Sequence, residues 1–189
     1  MAKHISNIEI TVSEMSFGWQ MIHLKFDEIQ IDFYGSYIGQ CPLSSLISLM
    51  AEIDADIDNE NIPDEMWVKW FEEPGVFEMD IKYDGLNDDI TIQISDEDLL
   101  TGGDISNPNE EYHFVVSHEV FRNAVIKESS RILKAYGLRG YNENWCNGID
   151  NFPMSAFLRL LGNKSKYNSE SDTYSSDFEQ EISLLKSIL

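Results

Sequence analysis

Between Phe33 and Leu43 the apolar residues change their spacing, and this switch constrains the fold more than any other feature of the chain. Before it, Ile8, Ile10 and Val12, then Trp19, Ile22, Leu24 and Phe26, then Ile29, Ile31 and Phe33 alternate or cluster as strand residues do. Three antiparallel strands follow from this, with turns at Ser13 to Ser16 and at Asp27-Glu28. After it, Leu43, Leu46, Ile47, Met50 and Ile53 fall on one helical face, and Pro42 suits a first helical turn. A chain that spends about its first fifth on a meander and then turns to a helix excludes both an all-helical bundle and a parallel α/β wind.

Strand patterns return at Met66 to Phe71, Val76 to Tyr83 and Asp89 to Ile94, separated by Pro74-Gly75 and by Asp84-Gly85 with Asn87, which predicts a second meander. A short strand at Tyr112 to Val116 leads to Ser117, a helix N-cap, and Gly137 supplies the stop. A further helix spans about Pro153 to Leu161. Polar residues then dominate up to Ser176, and Phe178, Ile182, Leu185 and Leu189 form the apolar stripe of a terminal helix. The expected fold is α+β: antiparallel sheet with helices packed on one face, and a C-terminal helix after a polar linker. With 189 residues and 42% apolar side chains the chain can bury one core without staples, so residues 1–162 are expected as a single domain, 163–176 as linker and 177–189 as helix.

Charge narrows the function. The net charge is −21, and residues 52–111 hold 20 acidic side chains against only Lys69 and Lys82. Such a field repels nucleic-acid phosphate and anionic lipid and attracts basic surfaces, so direct binding to nucleic acid or membrane is not expected. A solvated acidic face is the plain alternative. If the carboxylates recognise a basic partner, those in turns and loops are the candidates: Asp54, Asp56, Asp58, Glu60 and Asp64, then Glu72 and Glu73, then Asp88 and Asp89.

The segment from Asp54 to Glu65 also places carboxylates at positions 1, 3, 5 and 12, the ligand spacing of a calcium-binding EF-hand loop. Asn59 stands where that loop wants glycine, Pro63 is at position 10, and the residues beyond read as a strand where an exiting helix is required. A calcium-binding regulatory protein is therefore the alternative function. Catalytic signatures are missing: Ser44-Ser45 and Ser129-Ser130 have no recognisable base, and His113 and His118 lack the spacing of a helical metal pair. Cys41 and Cys146 are far apart without a CxxC motif and read as buried thiols of a reducing compartment. No apolar leader stands at the N-terminus, so the expected location is cytoplasmic and the expected role non-catalytic, without cofactor or resident metal.

Two aromatic stretches remain: Trp67, Trp70 and Phe71 leading into Glu72-Glu73-Pro74-Gly75, and Tyr136, Tyr141 and Trp145 leading into Phe152-Pro153. Most large aromatics are core, with a minority serving as exposed anchors. Together with Gly35 to Leu43 opening a helix, and with Tyr136-Gly137 and Gly140-Tyr141 ahead of Trp145, they make residues 35–162 resemble the small immunity proteins of bacterial polymorphic-toxin and contact-dependent growth-inhibition systems. The resemblance implies a cytoplasmic, non-catalytic, acidic protein that binds the toxic domain of a cognate toxin, commonly a nuclease. Contact surfaces in that group vary with the toxin, so no functional residue carries over.

Overall fold

In the computed structural model, which describes residues 2–16, 18–36, 41–61, 65–71, 75–98, 111–144, 151–169 and 171–188, the N-terminal alternation becomes an antiparallel meander. A two-residue strand β1 (Lys3–His4) precedes β2 (Ile8–Ser16), β3 (Trp19–Phe26) and β4 (Ile29–Gly35). On β3 the side chains of Gln20, Ile22, Leu24 and Phe26 are buried while their neighbours are partly exposed, the period-two signature of a sheet with one wet face. The turn expected at Ser13 to Ser16 is not there. A register shift between Val12 and Glu14 absorbs one residue, the strand continues to Ser16, and the chain reverses at Gly18, whose φ of 84° favours glycine.

Helix α1 (Pro42–Asp58) begins at the proline as expected but runs beyond Ile53. Asp54, Asp56 and Asp58 thus belong to helix, which corrects the reading of this segment as a loop. Helical residues two apart point about 200° from each other, so these three carboxylates do not converge as an EF-hand loop requires.

Strands β5 (Met66–Phe71), β6 (Gly75–Asp84), β7 (Asp89–Asp98) and β8 (Tyr112–Ser117) form the second sheet, in the order β1-β8-β7-β6-β5. Its strands are antiparallel except for β1, which lies parallel to β8 with His4 opposite Val115. His4 therefore belongs to this sheet. Helix α2 (His118–Asn144) starts where the Ser117 hydroxyl accepts the Val120 N–H at 3.3 Å, and it breaks at Gly137, whose φ is 65°, before resuming. Then come α3 (Met154–Leu160), β9 (Lys166–Asn168), β10 (Thr173–Ser175) and α4 (Phe178–Ile188). The expected linker thus holds an antiparallel hairpin, with Asp172 in the left-handed region between its strands.

Both sheets turn their apolar sides toward one core. Phe26 stacks on Phe114 at 4.2 Å, and Phe33 stacks on Trp70 at 4.7 Å and on Phe77 at 4.2 Å, so aromatic faces bridge the sheets. α2 closes the edge of the smaller sheet. The buried Glu128 carboxylate accepts the Val12 N–H at 2.6 Å, while Arg131 donates to the Val12 carbonyl at 2.6 Å and to Glu128. Beyond the Gly137 break, the buried Tyr141 hydroxyl lies 2.9 Å from Ser44 Oγ and 2.7 Å from Cys41 Sγ at the start of α1. No described helix is long and apolar enough to cross a membrane.

Candidate partner-binding face

Alternation along the larger sheet decides which side chains it presents outward. Val68 and Trp70, Met79 and Ile81, Ile90, Ile92 and Ile94, and Phe114 and Val116 point into the core. Their neighbours Trp67, Lys69, Glu78, Asp80, Lys82 and Gln93 therefore share the opposite face. The register sets Trp67 beside Asp80, Asp80 beside Gln93 and Lys69 beside Glu78. Trp67 is 62% exposed, a large aromatic ring on the outward face of the edge strand.

The carboxylates on this face crowd one another. Partial burial raises the pKa of Asp80, and the negative charges of Glu78 and Glu65 raise it further against the smaller opposing effect of Lys69. Lys69 is already engaged, 3.0 Å from Glu78 and 5.5 Å from the centre of the Trp67 ring. Beside this face, α1 and β5 enclose a groove of about 360 Å³ lined by Ser48, Glu52, Glu65, Trp67 and Pro153 among others.

The carboxylates singled out from sequence are scattered by comparison. Asp54 turns inward: its Oδ2 accepts the Arg122 Nε–H at 2.8 Å, and its Oδ1 is 2.9 Å from His118 Nε2, a close contact without hydrogen-bond alignment. Burial opposes its ionised form, but the His118 and Arg122 contacts prevail and hold its pKa below the ordinary value. Asp58 pairs with Lys164 at 2.6 Å and lies 3.9 Å from Arg159. These contacts tie α1 to α2 and to the chain after α3, around a cleft of about 300 Å³. Asp88 sits in the turn before β7 with a φ of 55°, accepts the Tyr83 hydroxyl at 2.9 Å, and lies 3.8 Å from His118 Nδ1, so Asp54 and Asp88 meet across one imidazole. Burial and Asp88 push the Tyr83 pKa up to about 12. Asp56 is half-buried on α1, Glu60 is exposed just beyond it, and Asp89 opens β7. Asp64, Glu72 and Glu73 lie outside the described residues, as do Trp145 and Cys146.

Sequence reasoning favoured loop carboxylates, took Glu65 only as a calcium ligand, and passed over Glu52, Glu78 and Asp80. The signal for the strand pair was present, since an inward Phe77, Met79 and Ile81 oblige Glu78 and Asp80 to face outward. The serines considered as nucleophiles serve structure. Ser44 meets Tyr141, Ser45 accepts the Trp70 indole N–H at 2.7 Å, and Ser129 and Ser130 donate to carbonyls one turn back in α2. Cys41 is buried with its sulfur against the Tyr141 hydroxyl, and among the described residues no group of three His, Cys, Asp or Glu side chains is placed to hold a metal ion. Comparison of the chain with protein-family models, with curated proteins and with solved structures finds no match.

Proposed function

We propose that this is a non-catalytic, cytoplasmic binding protein that neutralises a basic partner, the toxic nuclease domain of a cognate bacterial toxin, in the manner of an immunity protein. The observation that carries the reading is the crowding of Glu65, Glu78 and Asp80 around an exposed Trp67 on an open sheet face. Like charges held together destabilise the free protein, and a partner that brings cations relieves the cost on binding. An enzyme that cleaves nucleic acid must carry a basic cleft for phosphate, and a protein that presents carboxylates there competes for the same charges. Electrostatic steering also speeds capture, which matters when the target is lethal. Asp56, Glu60, Asp88 and Asp89 extend the negative field, whereas Asp54 and Asp58 are occupied by internal cations.

The test is to isolate the partner by affinity capture from the native cell and to measure association at low and high salt. A basic partner is expected, with an association rate that falls steeply with salt and drops about tenfold or more when Glu65, Glu78 and Asp80 are changed together to Lys. An acidic partner, or a rate indifferent to salt and to those reversals, overturns the proposal.

A further inference from the structure

β5 is the last strand of its sheet, and one hydrogen bond reveals how its free edge is oriented. The Phe71 carbonyl accepts the Ser36 N–H at 2.7 Å, on the side away from β6. Main-chain groups of alternate residues in a strand point the same way, and the β5–β6 register runs unbroken from Met66 to Phe71. The N–H and C=O groups of Trp67 and Lys69 therefore point outward too. Among the described residues nothing pairs with them, and Trp67 lines the groove between β5 and α1.

We infer that the partner inserts an extended, Lys- or Arg-bearing segment into this groove as an added strand on β5. The proposal rests on the reading of a basic partner given above and specifies how that partner is held. An unpaired edge is a template for strand pairing, and proteins commonly blunt or cover it. Here the groove beside it is walled by Glu52 and Glu65, so a basic segment fits the charge where an acidic or neutral one does not. On the outward face, the added strand's side chains become cross-strand neighbours of Trp67 and Lys69. A side chain of that strand opposite Trp67 meets the exposed indole, and Asp80 lies one strand further in, on the far side of β5. Main-chain bonds would supply the alignment, and the carboxylates would select the charge.

The experiment follows amide hydrogen exchange of the full chain in the presence of a short blocked peptide of alternating lysine and valine, with a glutamate–valine peptide as control. The lysine peptide is expected to slow exchange of the Trp67 and Lys69 amides about tenfold or more, and the glutamate peptide to leave them unchanged. Lys69→Pro removes one outward donor without touching the ladder to β6, so it should weaken peptide binding. Retained protection of the Val68 and Trp70 amides shows that this variant has kept β5 in place. Should Lys69→Pro unfold the strand, Trp67→Ala serves instead, with weaker binding but the same protected amides. Salt-sensitive binding of the lysine peptide that leaves the Trp67 and Lys69 amides exchanging freely overturns strand addition and keeps the basic-partner reading. Equal binding of the two peptides overturns the charge reading itself.

Discussion

Asp80 and Asp54 are carboxylates of one acidic segment with opposite roles, and pH separates them. The pKa of Asp80 is raised in the folded protein, so as pH climbs the unfolded chain gives up its proton first and stability falls through the window above the ordinary carboxylate value. Asp80→Asn should therefore stabilise the protein at neutral pH by about 0.5 kcal/mol, the scale of a cross-strand repulsion, and the gain should vanish in acid where Asp80 is already neutral. Chemical denaturation of both proteins across pH checks this, and the same variant should bind the basic partner less well. Asp54 behaves in reverse. Its folded pKa is depressed, so its contribution is full above the ordinary carboxylate value and is lost as pH falls through the lower folded one. Asp54→Asn should cost about 2 kcal/mol at neutral pH, and the difference from the parent should close at low pH. Neither role was legible from residue type: both are aspartates in an acidic run, and only the distant Arg122 and His118, or the neighbouring strand, sets them apart.

At the scale of elements, the contact between α2 and the edge of β2 offers the sharpest test. Glu128 and Arg131 satisfy both main-chain groups of Val12 at the register shift, in place of a neighbouring strand. Removing the carboxylate leaves a buried N–H without an acceptor and Arg131 without its counter-charge. Glu128→Ala should lower stability by about 3 kcal/mol in urea titration, and Glu128→Gln by less, since an amide oxygen can still accept the Val12 N–H. The C-terminal helix is a lesser contributor. α4 has no fully buried residue, and Leu185 and Ile188 only lean on the core. Truncation after Ser176 should cost about 1–2 kcal/mol, seen as a lower melting temperature. Strands and helices with strong apolar periodicity were plain in the sequence, including the Ser117 cap; Gly137, expected as a stop, is a break beyond which the helix resumes to Asn144. The β9–β10 hairpin was hidden because its strands have three residues each and no apolar alternation to announce them, and the last turn of α1 was hidden because its aspartates resemble a loop until their cationic partners are seen.

Across the whole molecule, the α+β class was readable from period changes alone, yet the division into two sheets was not. Nothing local in Lys3-His4 foretells a strand parallel to β8, because that pairing joins residues more than a hundred positions apart. The open groove beside β5 was equally out of reach, since it exists only where α1 and the sheet edge come together. The Glu128–Val12 contact adds a question of timing to this architecture. The first meander can form as soon as it is made, because its pairings are local. The residues that seal its edge lie 116 positions later, and at ordinary synthesis rates they emerge on the order of ten seconds afterwards. During that interval a nascent sheet is held with Val12 unpaired and its apolar face uncovered. Ribosome-bound chains halted while residues 128–131 are still inside the exit tunnel should therefore recruit chaperones or self-associate more than chains halted after both have emerged, and a slow codon stretch that delays this emergence would lengthen the exposure without altering the finished protein.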